Sequence, residues 1–303
     1  MALENDLIDL NDIGEPPRHA DLIQLSGLST DEVVGFRSSW ASLSEDRKCE
    51  ILIRLAELGE DNLEFDFTAV LRACLTDGNE TVREQATRGL WECEDRVVIR
   101  PLVSLLANDP AAEVRSAAAI TLGKFAELAR DGKLLERDGS RILEALLAVV
   151  DRDDEYLEVR RRAIEAVACF DVPVVEDLIT EAYNDGATEL KQSAIFAMGR
   201  TSNTQWLPTV LNDIDDVEPA IRFEAANACG LLGDESTIPH LLDLIDDEDF
   251  QVQTSAVEAL GSIGGPLARR ALLQCLKLGD ESLGDIAQEA LDSIESDEDP
   301  IGF

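Results

Sequence analysis

Three short stretches decide the fold: LKQSAIFAM at 190–198, IRFEAANAC at 221–229 and VQTSAVEAL at 252–260. Each begins on an aliphatic residue, carries alanine four residues on, and ends on an apolar residue eight residues on. Outward from these, the same pattern begins at Val82, Val114, Val159 and Leu283. The alanines are Ala86, Ala118, Ala163, Ala194, Ala225, Ala256 and Ala287, with successive gaps of 32, 45, 31, 31, 31 and 31. The closing residues are Leu90, Leu122, Val167, Met198, Cys229, Leu260 and Leu291. Offsets 0, 4 and 8 share one face of an α-helix. Alanine at the centre of that face lets two helices approach closely.

A second apolar stretch precedes each pattern. Pro101, Pro208 and Pro239 each stand thirteen residues before their start, where a first helical turn tolerates a missing N–H. Each repeat therefore reads as a short helix A, a turn and a helix B. The turns carry Asp77, Asp109, Asp154, Asp185, Asp216 and Asp247, five residues before each start. These are expected to cap helix B. The basic residues Arg83, Arg115, Arg160, Lys191 and Arg222 are expected to reach an aspartate of a neighbouring repeat, forming a ladder. The excess of the 45-residue gap lies between Lys124 and Ser140, read as an extended helix B followed by a loop, and in a longer turn at Asp151 to Glu155.

This pattern resembles HEAT repeats in the short form known from phycobilisome lyases. The likeness covers Phe65 to Ser296, with Asp31 to Leu58 as a degenerate first repeat in which Ile51 and Leu55 hold the apolar positions. The resemblance implies an all-α fold, an α-α superhelix of about eight helix pairs in a right-handed curved stack. Each repeat of such a solenoid touches only its neighbours. The expected organisation is an acidic, partly disordered arm at 1–27, a solenoid at 28–296 with a cap at 28–60 and repeats at 65–296, and an acidic tail at 297–303.

Composition agrees with helices. Apolar residues make up 45% of 303 positions but aromatics only 5%, so the core is aliphatic and alanine-rich. Asp and Glu number 63 against 26 Lys and Arg, a formal charge of −37. That field opposes nucleic acid and anionic lipid and favours a basic partner. No apolar run reaches membrane-span length, and residues 1–17 lack a signal peptide's basic start, so a cytoplasmic location is expected. Six scattered cysteines without a C-x-x-C pair read as reduced, buried thiols.

The resemblance places partner binding on the concave face lined by B helices. With offsets 0, 4 and 8 inward, offsets 2, 6 and 9 point outward. The candidate partner-binding residues are Arg88, Trp91, Ile120, Arg161, Gln192, Phe196, Phe223, Asn227 and Glu258. Phe196 and Phe223 lead, as aromatics in adjacent repeats. The competing reading is that some of these turn sideways and fill gaps between repeats. Gly123, Gly199, Gly230 and Gly261 recur at offset 9, which close packing explains.

No catalytic motif, metal cluster or cofactor site is expected. His19 and His240 are not followed by glutamate, so the paired His-Glu iron motif of the related deoxyhypusine hydroxylases is missing. The function read from the sequence is a non-catalytic scaffold that binds a protein, in particular one with a basic segment, and acts as a monomer. Two alternatives stand: a chromophore-handling accessory like the bilin lyases, and an acidic decoy or chaperone for a basic protein.

Overall fold

The computed structural model describes residues 16–62, 64–277 and 281–298. The described residues are helical, with no strand among them. The chain divides between Ala166 and Val167 into two compact units. Among the described residues, no helix is long and apolar enough to cross a membrane.

Unit 1 opens with α1 (His19–Ile23). Four helix pairs follow in chain order: α2 (Thr30–Trp40) and α3 (Glu45–Asp61), α4 (Thr68–Cys74) and α5 (Glu80–Arg88), α6 (Ile99–Asn108) and α7 (Ala112–Arg130), α8 (Glu136–Val150) and α9 (Leu157–Val167). Unit 2 has four more: α10 (Pro173–Asn184) and α11 (Thr188–Arg200), α12 (Leu207–Leu211) and α13 (Pro219–Leu232), α14 (Ile238–Leu244) and α15 (Phe250–Ile263), α16 (Gly265–Cys275) and α17 (Glu281–Glu298). The fold class is the α-α superhelix, with eight helix pairs among the described residues.

The alanine register holds at every repeat. All seven alanines are 0% exposed. The starting residues and the closing residues are buried with them. Within unit 2 the B helices α11, α13, α15 and α17 pack in series, and each helix A packs on its own helix B. Pro208 and Pro239 sit in the first turn of α12 and α14, as expected. A left-handed Gly233 (φ 66°) closes α13, where a side chain would be strained.

The turn aspartates do a different job from the expected one. Asp77, Asp109, Asp216 and Asp247 accept the backbone N–H two residues on, at 3.0, 3.0, 3.0 and 2.8 Å. That N–H belongs to the N-cap residue itself. Aspartate therefore shapes the turn ahead of the helix, and the side-chain caps, where present, come from Asn79 and Asp249.

The charge ladder is present in each unit. Arg83 grips Asp109 through Nε and Nη2 at 2.7 and 2.8 Å, and its Nη1 donates to the Asp77 carbonyl at 2.9 Å. Arg222 repeats this on Asp247 at 2.7 and 2.7 Å, with Nη1 on the Asp216 carbonyl at 2.8 Å. Lys191 reaches Asp213 at 2.7 Å and Asp216 at 2.9 Å. Asp154, Asp185 and Arg160 are corrections: both aspartates are exposed, and Arg160 donates to the Arg152 carbonyl instead of an aspartate. Glu155 replaces Asp154 and takes Arg115 at 2.6 Å, because the longer turn brings the next residue into reach. Lys48 supplies an unforeseen first rung, 2.8 Å from Asp77, and the Trp40 indole N–H donates to the same carboxylate at 2.9 Å.

These partners set the ionisation of the ladder. Burial pushes the Asp77, Asp109 and Glu155 carboxyls up, but N–H and cationic partners overcome it and hold each below its usual value. For Asp247 the Arg222 hydrogen bonds act first, and for Asp216 the Glu218 N–H does; both carboxyls are lowered. All six cysteines are free. Burial pushes the Cys229 thiol up to about 12, so it serves as a small hydrophobe.

Two boundaries shift. The extended helix B is there, as α7, but the loop is only 131–135 and Gly139 lies inside α8. The arm expected through residue 27 is docked from α1 onward. Leu22 and Leu25 are each 2% exposed, and the Gly27 N–H donates to the Asp66 carbonyl at 2.7 Å. Residues 1–15 of that arm, and 299–303 of the expected tail, lie outside the described residues.

Candidate functional site

Offsets 2 and 6 carry what the B helices leave open: Arg88 and Glu258 are exposed, most of the others are half-buried, and Ser116 is buried. Offset 9 does not, and the reason is geometric. It faces the next helix B of the stack. Gly123, Ala168, Gly199 and Gly230 are accordingly buried. A Cβ on Gly199 would stand 2.8 Å from the Ala228 Cα, one on Gly230 2.8 Å from the Ala259 Cα, and one on Gly261 2.9 Å from the Ala290 Cβ. Each glycine thus receives the offset-7 alanine of the next repeat. Trp91 escapes this because α5 ends at Arg88, and it stays 40% exposed.

In unit 1, Arg88 and Trp91 come together. They line a pocket of about 340 Å³ with Phe65, Phe67 and Cys93, among the carboxylates of Glu60, Asp66, Glu92, Glu94 and Asp95. Arg88 is exposed and pairs with Glu84 at 2.9 Å. Ile120 and Arg161 are half-buried, and Arg161 pairs with Glu158 at 3.0 Å. Neither lines this pocket.

In unit 2, the structure gathers Gln192, Phe223 and Glu258 into one cleft of about 850 Å³. Its other walls are Pro219, Ala220, Glu218 and Glu224 from α13 and its approach, and Asp249, Phe250, Gln251 and Thr254 from α15 and its cap. Phe223 is half-buried, while Phe250 is 47% exposed. The expected exposure is corrected for Phe196 as for Phe223: it too is half-buried, with the Arg200 guanidinium 5.6 Å from its ring centre. Asn227 is half-buried and donates to Glu224 at 3.5 Å. Neither Phe196 nor Asn227 lines the cleft.

The cleft's charge is one-sided. Glu218, Glu224, Asp249 and Glu258 line it, and no lysine, arginine or histidine does. Among the described residues no cluster of histidine, cysteine or acidic side chains has the geometry to hold a metal ion. Sequence reasoning missed Pro219 and Phe250. Both stand two residues before their repeat start, a shared position outside the offsets that define the buried face.

A family model for HEAT repeats matches residues 68–168, 175–256 and 214–295. No curated protein matches the chain. Among solved structures, the complex of CpcE and CpcF of phycocyanin lyase from Nostoc sp. PCC7120 is similar at 16% identity, over 76% of this chain and 94% of that one, with a TM-score of 0.52. The Kap95:Nup1 complex is similar at 13% identity, over 97% of this chain and 46% of that one, with a TM-score of 0.52. Importin beta is similar at 13% identity, over 96% and 44%, with a TM-score of 0.50. At such identities the likeness is one of fold.

Proposed function

The chain belongs to the HEAT-repeat family, and from that premise we propose that it is a non-catalytic scaffold whose B-helix face docks a protein partner. The observation that carries this reading is the unit 2 cleft, built from the same offsets of three successive B helices. A preformed surface with half-exposed aromatics orders few groups on binding, so more of its contact energy is retained. The four carboxylates favour a basic partner and raise its on-rate at low salt. Monomeric state and a cytoplasmic location complete the proposal. The fold neighbours solved as complexes, CpcE with CpcF and Kap95 with Nup1, support a protein as the partner class.

The test is affinity capture from native lysate with the wild type beside a Phe223→Ala/Phe250→Ala variant. The expected result is a stoichiometric protein lost in the variant. The same proteins retained by both would overturn the cleft as the docking face. Binding abolished by modest salt in both alike would instead favour the acidic-decoy reading.

One observation favours the chromophore-handling alternative. Arg88, Trp91 and Cys93 share the unit 1 pocket. Three things weigh against it. The pocket is about 340 Å³, at the small end for ligand sites. Its five carboxylates repel the propionates of a bilin. Burial pushes the Cys93 thiol up, away from the thiolate needed to add to a chromophore. A purified protein without visible absorbance would close this reading.

A further inference from the structure

We infer that the unit 2 cleft takes an extended basic peptide whose arginines or lysines recur at every third residue. This rests on the docking reading above and adds the ligand's chemistry and register.

Charge selects the sign. Four carboxylates line the cleft. The N-termini of α13 and α15 also open there, each contributing about half a positive charge. The sum stays clearly negative. Phosphates and fatty acids are repelled, and a cationic side chain is attracted.

Shape selects arginine and lysine over a bare cation. The half-buried Phe223 and the exposed Phe250 line the cleft together with Glu224 and Asp249. A guanidinium is able to stack on a ring while its edge meets a carboxylate. The aliphatic stem of either residue covers Pro219 and Ala220.

Spacing selects the register. Gln192, Phe223 and Thr254 all stand at offset 2, on α11, α13 and α15. Packed neighbouring helices lie about 8–10 Å apart. An extended chain in the polyproline II conformation rises about 3.1 Å per residue and returns its side chains to one face every third residue, so about three residues carry it from one B helix to the next. A helical ligand, at about 1.5 Å per residue, would need about six. The polar floor suits a backbone that still has hydrogen bonds to make. Gln192, Gln251 and Thr254 supply polar side chains to its lining. An extended segment offers unpaired carbonyls and N–H groups there, whereas a helix has already used its own.

The experiment is fluorescence anisotropy on the full chain with three labelled peptides of equal length and charge, bearing arginine at every second, third or fourth position. Spermidine is the competitor. The every-third peptide is expected to bind about tenfold tighter than the other two. Glu218→Gln/Glu258→Gln and Phe223→Ala are each expected to weaken it by about tenfold. Phe250→Ala serves in place of Phe223→Ala if circular dichroism shows that variant unfolded. Equal affinity for all three spacings overturns the inference. So does spermidine competing as well as the best peptide, or indifference to the variants. Should the captured partner depend on Phe223 while spacing makes no difference, docking stands and this register falls. Should capture also be indifferent to Phe223, both fall.

Discussion

Unit 2 spaces its alanines at 31 residues throughout, whereas unit 1 breaks the period with gaps of 32 and 45. The two units answer that difference in two ways. With a strict period, unit 2 reuses one contact, offset-9 glycine against offset-7 alanine, at three successive interfaces. Unit 1 has one glycine at offset 9, Gly123, and spends chain on longer helices. Its helix B α7 has 19 residues against 14 in each of α13 and α15, and its helix A α8 has 15 against 5 in α12 and 7 in α14. The ladder survives the irregularity, because a guanidinium tolerates a change of partner from Asp154 to Glu155. Small-residue interlocking needs register; charge pairing needs only reach.

The first way to break this comparison is through the one feature both units share. Ala86→Asp in unit 1 and Ala225→Asp in unit 2 each place a carboxylate at a position 0% exposed. Each is expected to cost about 3–5 kcal/mol, the scale of an uncompensated buried charge. Urea titration followed by circular dichroism would read it. An unchanged midpoint in either variant would show the alanine register to be wrong in that unit.

Acid attacks all the ladder's rungs together. Asp77, Asp109 and Glu155 in unit 1, and Asp216 and Asp247 in unit 2, have folded-state pKa values below their usual ones. A depressed carboxyl contributes its stability fully above the unfolded value, 3.8 for these aspartates and 4.5 for Glu155. That contribution is lost as pH falls through the lower folded value. The urea midpoint is therefore expected to drop steadily below about pH 4. A midpoint flat from pH 5 to about pH 2.5 would mean the rungs are energetically idle.

Single rungs sharpen the point that reach matters more than register. Arg83→Met and Arg222→Met remove guanidiniums with nearly the same geometry in the two units, leaving Asp109 and Asp247 without them. Each is expected to cost about 2 kcal/mol, the scale of hydrogen bonds to a charged group. Lys191→Met removes an ammonium that lacks the forked geometry and is more exposed, so it is expected to cost about 1 kcal/mol. Equal thermal shifts for all three would show that the fork adds nothing.

The fold was legible because the alanines fix both helix and face, and seven of them agree. The positions at offsets 2 and 6 that line the cleft, Gln192, Phe223, Thr254 and Glu258, were legible for the same reason. Burial at offset 9 was not, because projecting one helix ignores the second neighbour that a stack supplies. Lys48 stayed hidden because its repeat puts Ile51 where the others put alanine. Glu155 stayed hidden because an insertion changes which acid a turn presents, and spacing alone does not carry that. Phe250 and Pro219 precede the first buried residue of their helices, where no periodicity points at them. Half of the cleft thus comes from helix faces, which a sequence displays, and half from helix entrances, which only the turn geometry places.

The smallest expected effect is the most discriminating, because its sign differs by site. Replacing glycine by alanine inside a helix normally stabilises by about 0.5–1 kcal/mol, through the entropy of the unfolded chain. Gly35 in α2 of unit 1 and Gly284 in α17 of unit 2 have nothing within 4 Å of an added Cβ, so Gly35→Ala and Gly284→Ala should show that gain. Gly230→Ala puts the same methyl 2.8 Å from the Ala259 backbone. A backbone atom is not able to step aside as a flexible side chain does, so α13 and α15 must separate along their contact. The expected result is a loss of about 1–2 kcal/mol, an overpacking cost that exceeds the entropic gain. The further double variant Gly230→Ala/Ala259→Gly moves the methyl to the partner helix and should recover most of that loss, since the gap is kept and only its owner changes. A stabilised Gly230→Ala, or a double variant no better than the single, would mean that the strict period of unit 2 does not serve helix interlocking.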